Sequence, residues 1–264
     1  MAKRTLARRP RVGALMIAGL GALILSAGCE QSPPPRAPSA AGGAVAGAPR
    51  GARTIDLPQV DQRLCTAVVL LIDTSGSMSQ NVPDSGGTQR PKHVIARRAL
   101  EGIVDYTADW QQAHTDRVLQ LSICHFSSAV HKLLPMGVFQ AEQARSAVRK
   151  LPGPGGGTAI GQALEAGFKA LYASGCVRKY VVCITDGENT VGPPPDRIAR
   201  QLFAQTGGEV EIHFVAFDTS AAQFAFLKSA NGAVVEAADG AQLQARLAEI
   251  YEKRILAEAA AEQQ

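Results

Sequence analysis

The run from Leu64 to Ile72 limits the possible folds of this chain more than any other stretch. Its nine residues, Leu-Cys-Thr-Ala-Val-Val-Leu-Leu-Ile, carry no charge and do not alternate with polar positions. A strand with one wet face alternates, whereas a strand covered on both faces reads as a continuous apolar run. This segment therefore predicts an internal strand with layers packed above and below it, and it ends at Asp73. Similar runs recur at Val118–Phe126, Val177–Thr185 and Val210–Phe217, with a shorter one at Ala233–Glu236. His131–Leu134 reads as a short edge strand stopped by Pro135.

Helical patterns separate these runs. Pro91 opens a long one, in which Ala96, Leu100, Ile103, Val104 and Thr107 fall on one face. Ile160, Leu164, Gly167, Phe168 and Leu171 repeat that spacing, and Leu243, Leu247, Ile250 and Tyr251 do so near the C-terminus. Phe139–Leu151, Asp196–Gln205 and Ser220–Ala230 are shorter candidates. Alternating strands and helices predict an α/β fold, a doubly wound and mostly parallel sheet with helices on both faces. In such sheets ligands sit beyond the carboxyl ends of the strands, so function is sought there.

The charge of the chain misdirects unless it is located. The formal net charge is +4, from 27 basic and 23 acidic residues. Five of the cations (Lys3, Arg4, Arg8, Arg9 and Arg11) precede residue 29, and residues 1–28 hold no Asp or Glu. Without that segment 22 basic residues face 23 acidic ones, a net charge of −1. A basic nucleic-acid binder is disfavoured. The cationic start is followed by 16 uncharged residues, Val12–Ala27, too few for a spanning helix of ~20 residues but right for a signal-peptide core. Leu25-Ser26-Ala27-Gly28-Cys29 resembles the lipobox of bacterial lipoproteins, although Ser26 stands where Leu, Val or Ile is commoner. The resemblance implies cleavage after residue 28, lipidation of Cys29 and a membrane anchor. With Glu30 rather than Asp after the cysteine, it implies the periplasmic side of the outer membrane in a bacterial cell envelope.

Of the 23 residues from Gln31 to Arg53, 18 are Ala, Gly, Pro or Ser, which cannot bury enough apolar surface to offset ordering. The expected organisation is a signal peptide at 1–28, a lipidated cysteine and tether at 29–58, one domain at 59–255 and a frayed tail at 256–264. Four cysteines remain, Cys65, Cys124, Cys176 and Cys183. In an exported protein they allow disulfides with three connectivities.

Three strand or loop ends gather oxygen ligands. The first strand runs into Asp73-Thr74-Ser75-Gly76-Ser77, which offers one carboxylate and alternate hydroxyls on a turn. Gly155-Gly156-Gly157-Thr158 precedes the helix containing Ile160, and the strand ending at Thr185 runs into Asp186-Gly187. Oxygen-rich sets of this kind suit hard divalent cations.

Together, these three parts in this order resemble the von Willebrand factor type A domain and its metal-ion-dependent adhesion site. The resemblance covers roughly residues 60–255. It implies sheet order 3-2-1-4-5-6 with strand 3 antiparallel at the edge, and Mg2+ or Mn2+ as cofactor. Ser75 and Ser77 would ligate the metal directly, Thr158 directly or through water, and Asp73 and Asp186 mostly through water. One coordination position would be left for an exposed Asp or Glu of a protein partner. With strands 1 and 4 as neighbours, Cys65 and Cys176 are expected to pair, leaving Cys124 and Cys183 as buried thiols on either side of strand 1.

These readings give a membrane-tethered binding module, not an enzyme and not a nucleic-acid binder. The alternatives are a magnesium-dependent phosphoester hydrolase and a scaffold with a vestigial site. Haloacid-dehalogenase-like phosphatases carry a second acid two residues after the nucleophilic Asp, where this chain has Ser75. No GxSxG, P-loop lysine, HExxH or Cys-His motif occurs either. Val82–Gln89, polar and Gly-rich, reads as a loop beside the motif, either setting specificity or simply lying on the surface. Pro193-Pro194-Pro195 reads as a rigid connection into a helix.

Overall fold

The computed structural model describes residues 54–261. The signal segment, Cys29, most of the tether and residues 262–264 lie outside the described residues.

Six strands form one sheet: β1 (Arg63–Asp73), β2 (Leu119–Phe126), β3 (Val130–Val138), β4 (Cys176–Thr185), β5 (Val210–Phe217) and β6 (Gly232–Ala237). Their spatial order is β3-β2-β1-β4-β5-β6, with only β3 antiparallel. β1 lies at the centre of the sheet and, like β4 and β5 to one side of it, is apolar toward both faces along most of its length. Val68, Leu70 and Ile72 enter one core layer with the helices α1 (Lys92–Ala113), α2 (Ala141–Arg149) and α5 (Gly240–Ala248). Ala67, Val69 and Leu71 enter the other with α3 (Ile160–Ser174) and α4 (Pro195–Thr206). The two-residue period of the strand thus divides nearly every residue of β1 between two buried surfaces.

Several expectations are corrected. The edge strand does not stop at Pro135. β3 runs on to Val138, and the register against β2 shifts between the pairs Leu121↔Gly137 and Ile123↔Leu134. An edge position with a bulge is where a strand tolerates a residue without an N–H. Val82–Gln89 is not an open loop: Asn81–Pro83 pairs antiparallel with Gln89–Pro91, and Asp84 accepts the N–H groups of Gly86 and Thr88 inside the turn. The domain begins before residue 59, because Ile55 is buried in the second core layer and its carbonyl accepts from Gln205.

The C-terminal tail is not frayed from 256 onward. The helix continues from α5 through a wider turn at Glu249–Leu256 and on to Ala260. Tyr251, Ile255, Leu256 and Ala259 are buried, and the Tyr180 hydroxyl donates to the Glu258 carboxylate. Ala-rich sequence alone predicted fraying, but apolar side chains at helical spacing supply the packing that propensity does not.

Cys65 and Cys176 form a disulfide with Cα atoms 4.8 Å apart, at the starts of neighbouring strands. Cys124 and Cys183 are free and buried. Among the described residues no helix is long and apolar enough to cross a membrane.

Candidate metal centre

The carboxyl ends of β1 and β4 place Asp73 and Asp186 on one rim. Asp73 is fully buried. Its Oδ1 accepts the Ser75 N–H at 2.7 Å and its Oδ2 accepts the Thr185 hydroxyl at 2.6 Å. The Ser75 and Ser77 hydroxyls lie 3.0 Å apart, and Ser77 donates to Asp186 Oδ1 at 2.7 Å. A continuous hydrogen-bonded chain therefore runs from Asp73 through the two serines to Asp186. The turn that makes this possible is a short 3-10 segment, Gly76–Ser79, which brings alternate residues of the motif to one side.

The Gly-rich loop reaches the same rim through the backbone. Gly76 N–H donates to the Gly156 carbonyl at 3.1 Å, and Gly155 N–H donates to the Thr74 carbonyl at 2.9 Å. These glycines answer to crowding more than to flexibility. Gly156 has φ +78, and a Cβ there would lie 2.7 Å from Ser128 Oγ; one at Gly157 would lie 2.5 Å from Val191. Thr158 is buried behind them. Its N–H donates to the Thr190 hydroxyl at 2.8 Å, and its carbonyl accepts from the N–H groups of Thr190 and Val191. The segment before the three prolines thus fixes Thr158. The prolines themselves press the Pro193 carbonyl against Gly161, where a Cβ would lie 2.2 Å away.

Burial pushes the Asp73 carboxyl up to about 6, against the hydrogen bonds from Ser75 and Thr185 that favour its ionised form. The charged neighbour acting on it is Asp186, which pushes the same way. A buried carboxylate under repulsion from a second carboxylate is a place that a cation would relieve. The donors are oxygens throughout, mostly hydroxyls. Among the described residues no three His, Cys, Asp or Glu side chains converge to hold a metal ion, so hydroxyls would have to complete any ligand set. The set fits a hard divalent cation that keeps part of its water. Asp73, Ser75, Ser77, Thr158 and Asp186 would be the residues to hold it.

Two residues at the rim were not singled out from sequence. Lys92, the first residue of α1, is buried, and its ammonium donates to Asp186 Oδ2 at 3.0 Å, to Gln80 Oε1 at 3.0 Å and to Asp218 Oδ2 at 2.8 Å. Burial pulls its pKa down, but the hydrogen bonds to Asp218 and Asp186 outweigh that and leave it raised. Asp218 follows the last residue of β5, as Asp73 ends β1 and Asp186 follows β4. That shared position was a readable signal. A lysine in the first turn of a helix, where the dipole disfavours a cation, was another.

A second polar pair flanks the rim. The Thr74 hydroxyl lies 3.0 Å from His125 Nδ1, and the His125 and His131 rings stack at 5.1 Å across the β2–β3 pairing. Burial, and then the nearby His131, holds His125 below its ordinary value.

The comparisons with known proteins agree with this architecture. The family model for the von Willebrand factor type A domain matches residues 68–188. A von Willebrand factor type A structure from Catenulispora acidiphila superposes with TM-score 0.57 at 19% identity, over 72% of this chain and 42% of that one. An aerotolerance-related membrane protein from Bacteroides fragilis gives TM-score 0.55 at 16% identity, over 71% of this chain and 99% of that one. Proximal thread matrix protein 1 from the mussel byssus, with a zinc-occupied MIDAS motif, gives 0.55 at 19% identity, over 76% and 47%. This chain thus spans less than half the length of two of these three proteins. No curated protein matches the sequence.

Proposed function

This chain carries a von Willebrand factor type A domain, and from that premise we propose that it is a binding module that docks a protein partner through a divalent cation at the rim of Asp73, Ser75, Ser77, Thr158 and Asp186. Mg2+ is the cation proposed, with Mn2+ able to replace it. The partner contributes an exposed Asp or Glu side chain. Cys29 is the lipid attachment point, and the segment after it tethers the domain to an envelope membrane, on the periplasmic side of the outer membrane. The role is binding, not catalysis.

The observation that carries the reading is the state of Asp73. A carboxylate buried at the end of a central strand and facing a second carboxylate is costly to the fold by itself, and a bound cation would offset that cost. When bound, the cation would supply Lewis acidity toward an incoming carboxylate, and the neutral hydroxyls of Ser75 and Ser77 would leave it electron-poor enough to do so. The residues of the chain do the remaining work. Thr185 and the Ser75 N–H hold Asp73 in place, Ser77 aligns Asp186, and the Gly155–Gly157 loop brings Thr158 close.

The test is capture of partners by the full chain from its own envelope extract, with Mg2+ and with chelator. The expected result is a protein retained in Mg2+, and lost both in chelator and with Asp73→Ala. Equal retention in all three conditions would overturn the reading.

A further inference from the structure

The Lys92 ammonium has three N–H donors, and each meets an acceptor: Asp186, Gln80 and Asp218. Its backbone is fixed as well, since the Lys92 N–H donates to the Gln80 carbonyl at 2.8 Å. Asp186 is therefore shared. Ser77 holds its Oδ1, on the side of the serine pair, and Lys92 holds its Oδ2. A lysine in this place gains nothing from the helix, whose N-terminus repels a cation. It gains nothing from solvent, since its side chain is 2% exposed. Asp218 is partly exposed and sits at φ +53, a backbone region that Asp and Asn tolerate better than most residues. That conformation ends β5 with the carboxylate turned onto the Lys92 ammonium.

We propose that Lys92 and Asp218 are a built-in charge regulator of the rim: Lys92 weakens its hold on a divalent cation while aligning Asp186, and Asp218 offsets part of that weakening. The inference rests on the cation-dependent reading above. The reasoning is Coulombic. A fixed positive charge in contact with one of two carboxylates repels a doubly charged ion entering beside them, and burial limits the screening. The alignment that Lys92 gives to Asp186 is partly duplicated by Ser77, so repulsion is the larger effect. The regulator keeps the cation weakly held and available to a partner's carboxylate. A rim without Lys92 would satisfy its cation internally.

The experiment is titration of the full chain with Mn2+, followed by paramagnetic resonance, for the wild type, Lys92→Met, Asp218→Asn and the double variant. Lys92→Met is expected to tighten Mn2+ about tenfold or more, and Asp218→Asn to weaken it several-fold. The double variant should fall between the two, nearer the wild type. A merely structural role predicts weakening in every variant. Asp218→Asn, at a partly exposed position that suits Asn, keeps the test open if Lys92→Met does not fold. Wild-type binding that is unchanged or weakened in Lys92→Met, or tightened in Asp218→Asn, would overturn the regulator alone. A wild type that binds no Mn2+ would overturn the cation reading and the regulator with it.

Discussion

Where β1 and β4 begin, Cys65 and Cys176 are joined covalently, and the Arg63 N–H donates to the Gly175 carbonyl across the same gap. Close by, Arg178 and Tyr180 of β4 donate to Glu258 of the C-terminal helix, and Lys179 pairs with Glu209 while lying over the Tyr172 ring. Where the same two strands end, Asp73 and Asp186 repel each other, and the cation on hand is Lys92, already divided between Asp186 and Asp218. One end of the sheet is cross-linked and its charges are matched. The other holds buried charge that the fold does not neutralise. The difference teaches that the stability of this domain is concentrated away from the rim, so that the rim can keep an arrangement unfavourable to the fold by itself.

Breaking the covalent end should have the largest effect. The disulfide spans a sequence separation of 111 residues, and its loss, as Cys65→Ala with Cys176→Ala, is expected to reduce stability by about 3–5 kcal/mol in denaturant unfolding. Mn2+ affinity should stay within about twofold, measured on the folded variant. A parallel change in affinity would show that the two ends are coupled. Thiol counting in denaturant without reductant should find, of the four cysteines after Cys29, Cys124 and Cys183 reactive and the other pair silent.

The charged end should reveal itself through pH. The folded-state pKa of Asp73 is about 6 against 3.8 for the ordinary side chain. Between those values the native state binds more protons than the unfolded one, so this group's contribution to stability falls as pH rises through that window. Ionising Asp73 at pH 7 is then expected to cost the cation-free fold about 3 kcal/mol. Asp73→Asn should remove the slope, and saturating Mg2+ should reverse it, because the bound cation favours the ionised form. Unfolding curves at pH 4, 5, 6 and 7, with and without Mg2+, check the sign.

Much of this contrast was legible in the sequence. Asp73, Ser75, Ser77, Thr158 and Asp186 stand in short local patterns at the ends of apolar runs, and the alternation of strands and helices gave the sheet order through the family resemblance. Lys92 and Asp218 each stand at a legible place, a helix start and a strand end, but their pairing is a contact 126 positions apart, which no local period encodes. The hairpin at Asn81–Pro91 was missed because its strands are three residues each and its turn is held by one side chain, Asp84. The C-terminal helix outlasts the expectation because alanine and glutamate signal fraying by propensity, while burial of Ile255, Leu256 and Ala259 holds the segment.

Two smaller effects sharpen the contrast. Thr158→Val keeps shape and removes a hydroxyl, and it is expected to weaken Mn2+ binding about tenfold with little change in stability. Glu258→Ala acts at the matched end: it removes the acceptor of Tyr180 and should reduce stability by about 1 kcal/mol while leaving Mn2+ affinity unchanged. If the two variants exchanged their effects, the division of labour between the ends would be wrong.

The most direct measurement is calorimetric titration of Mg2+ into the full chain and its Asp73→Ala variant at pH 7. The account predicts one binding event per chain in the wild type and a loss of at least about a hundredfold in affinity in the variant, with the variant still folded. No binding to the wild type, or equal binding to both proteins, would contradict it.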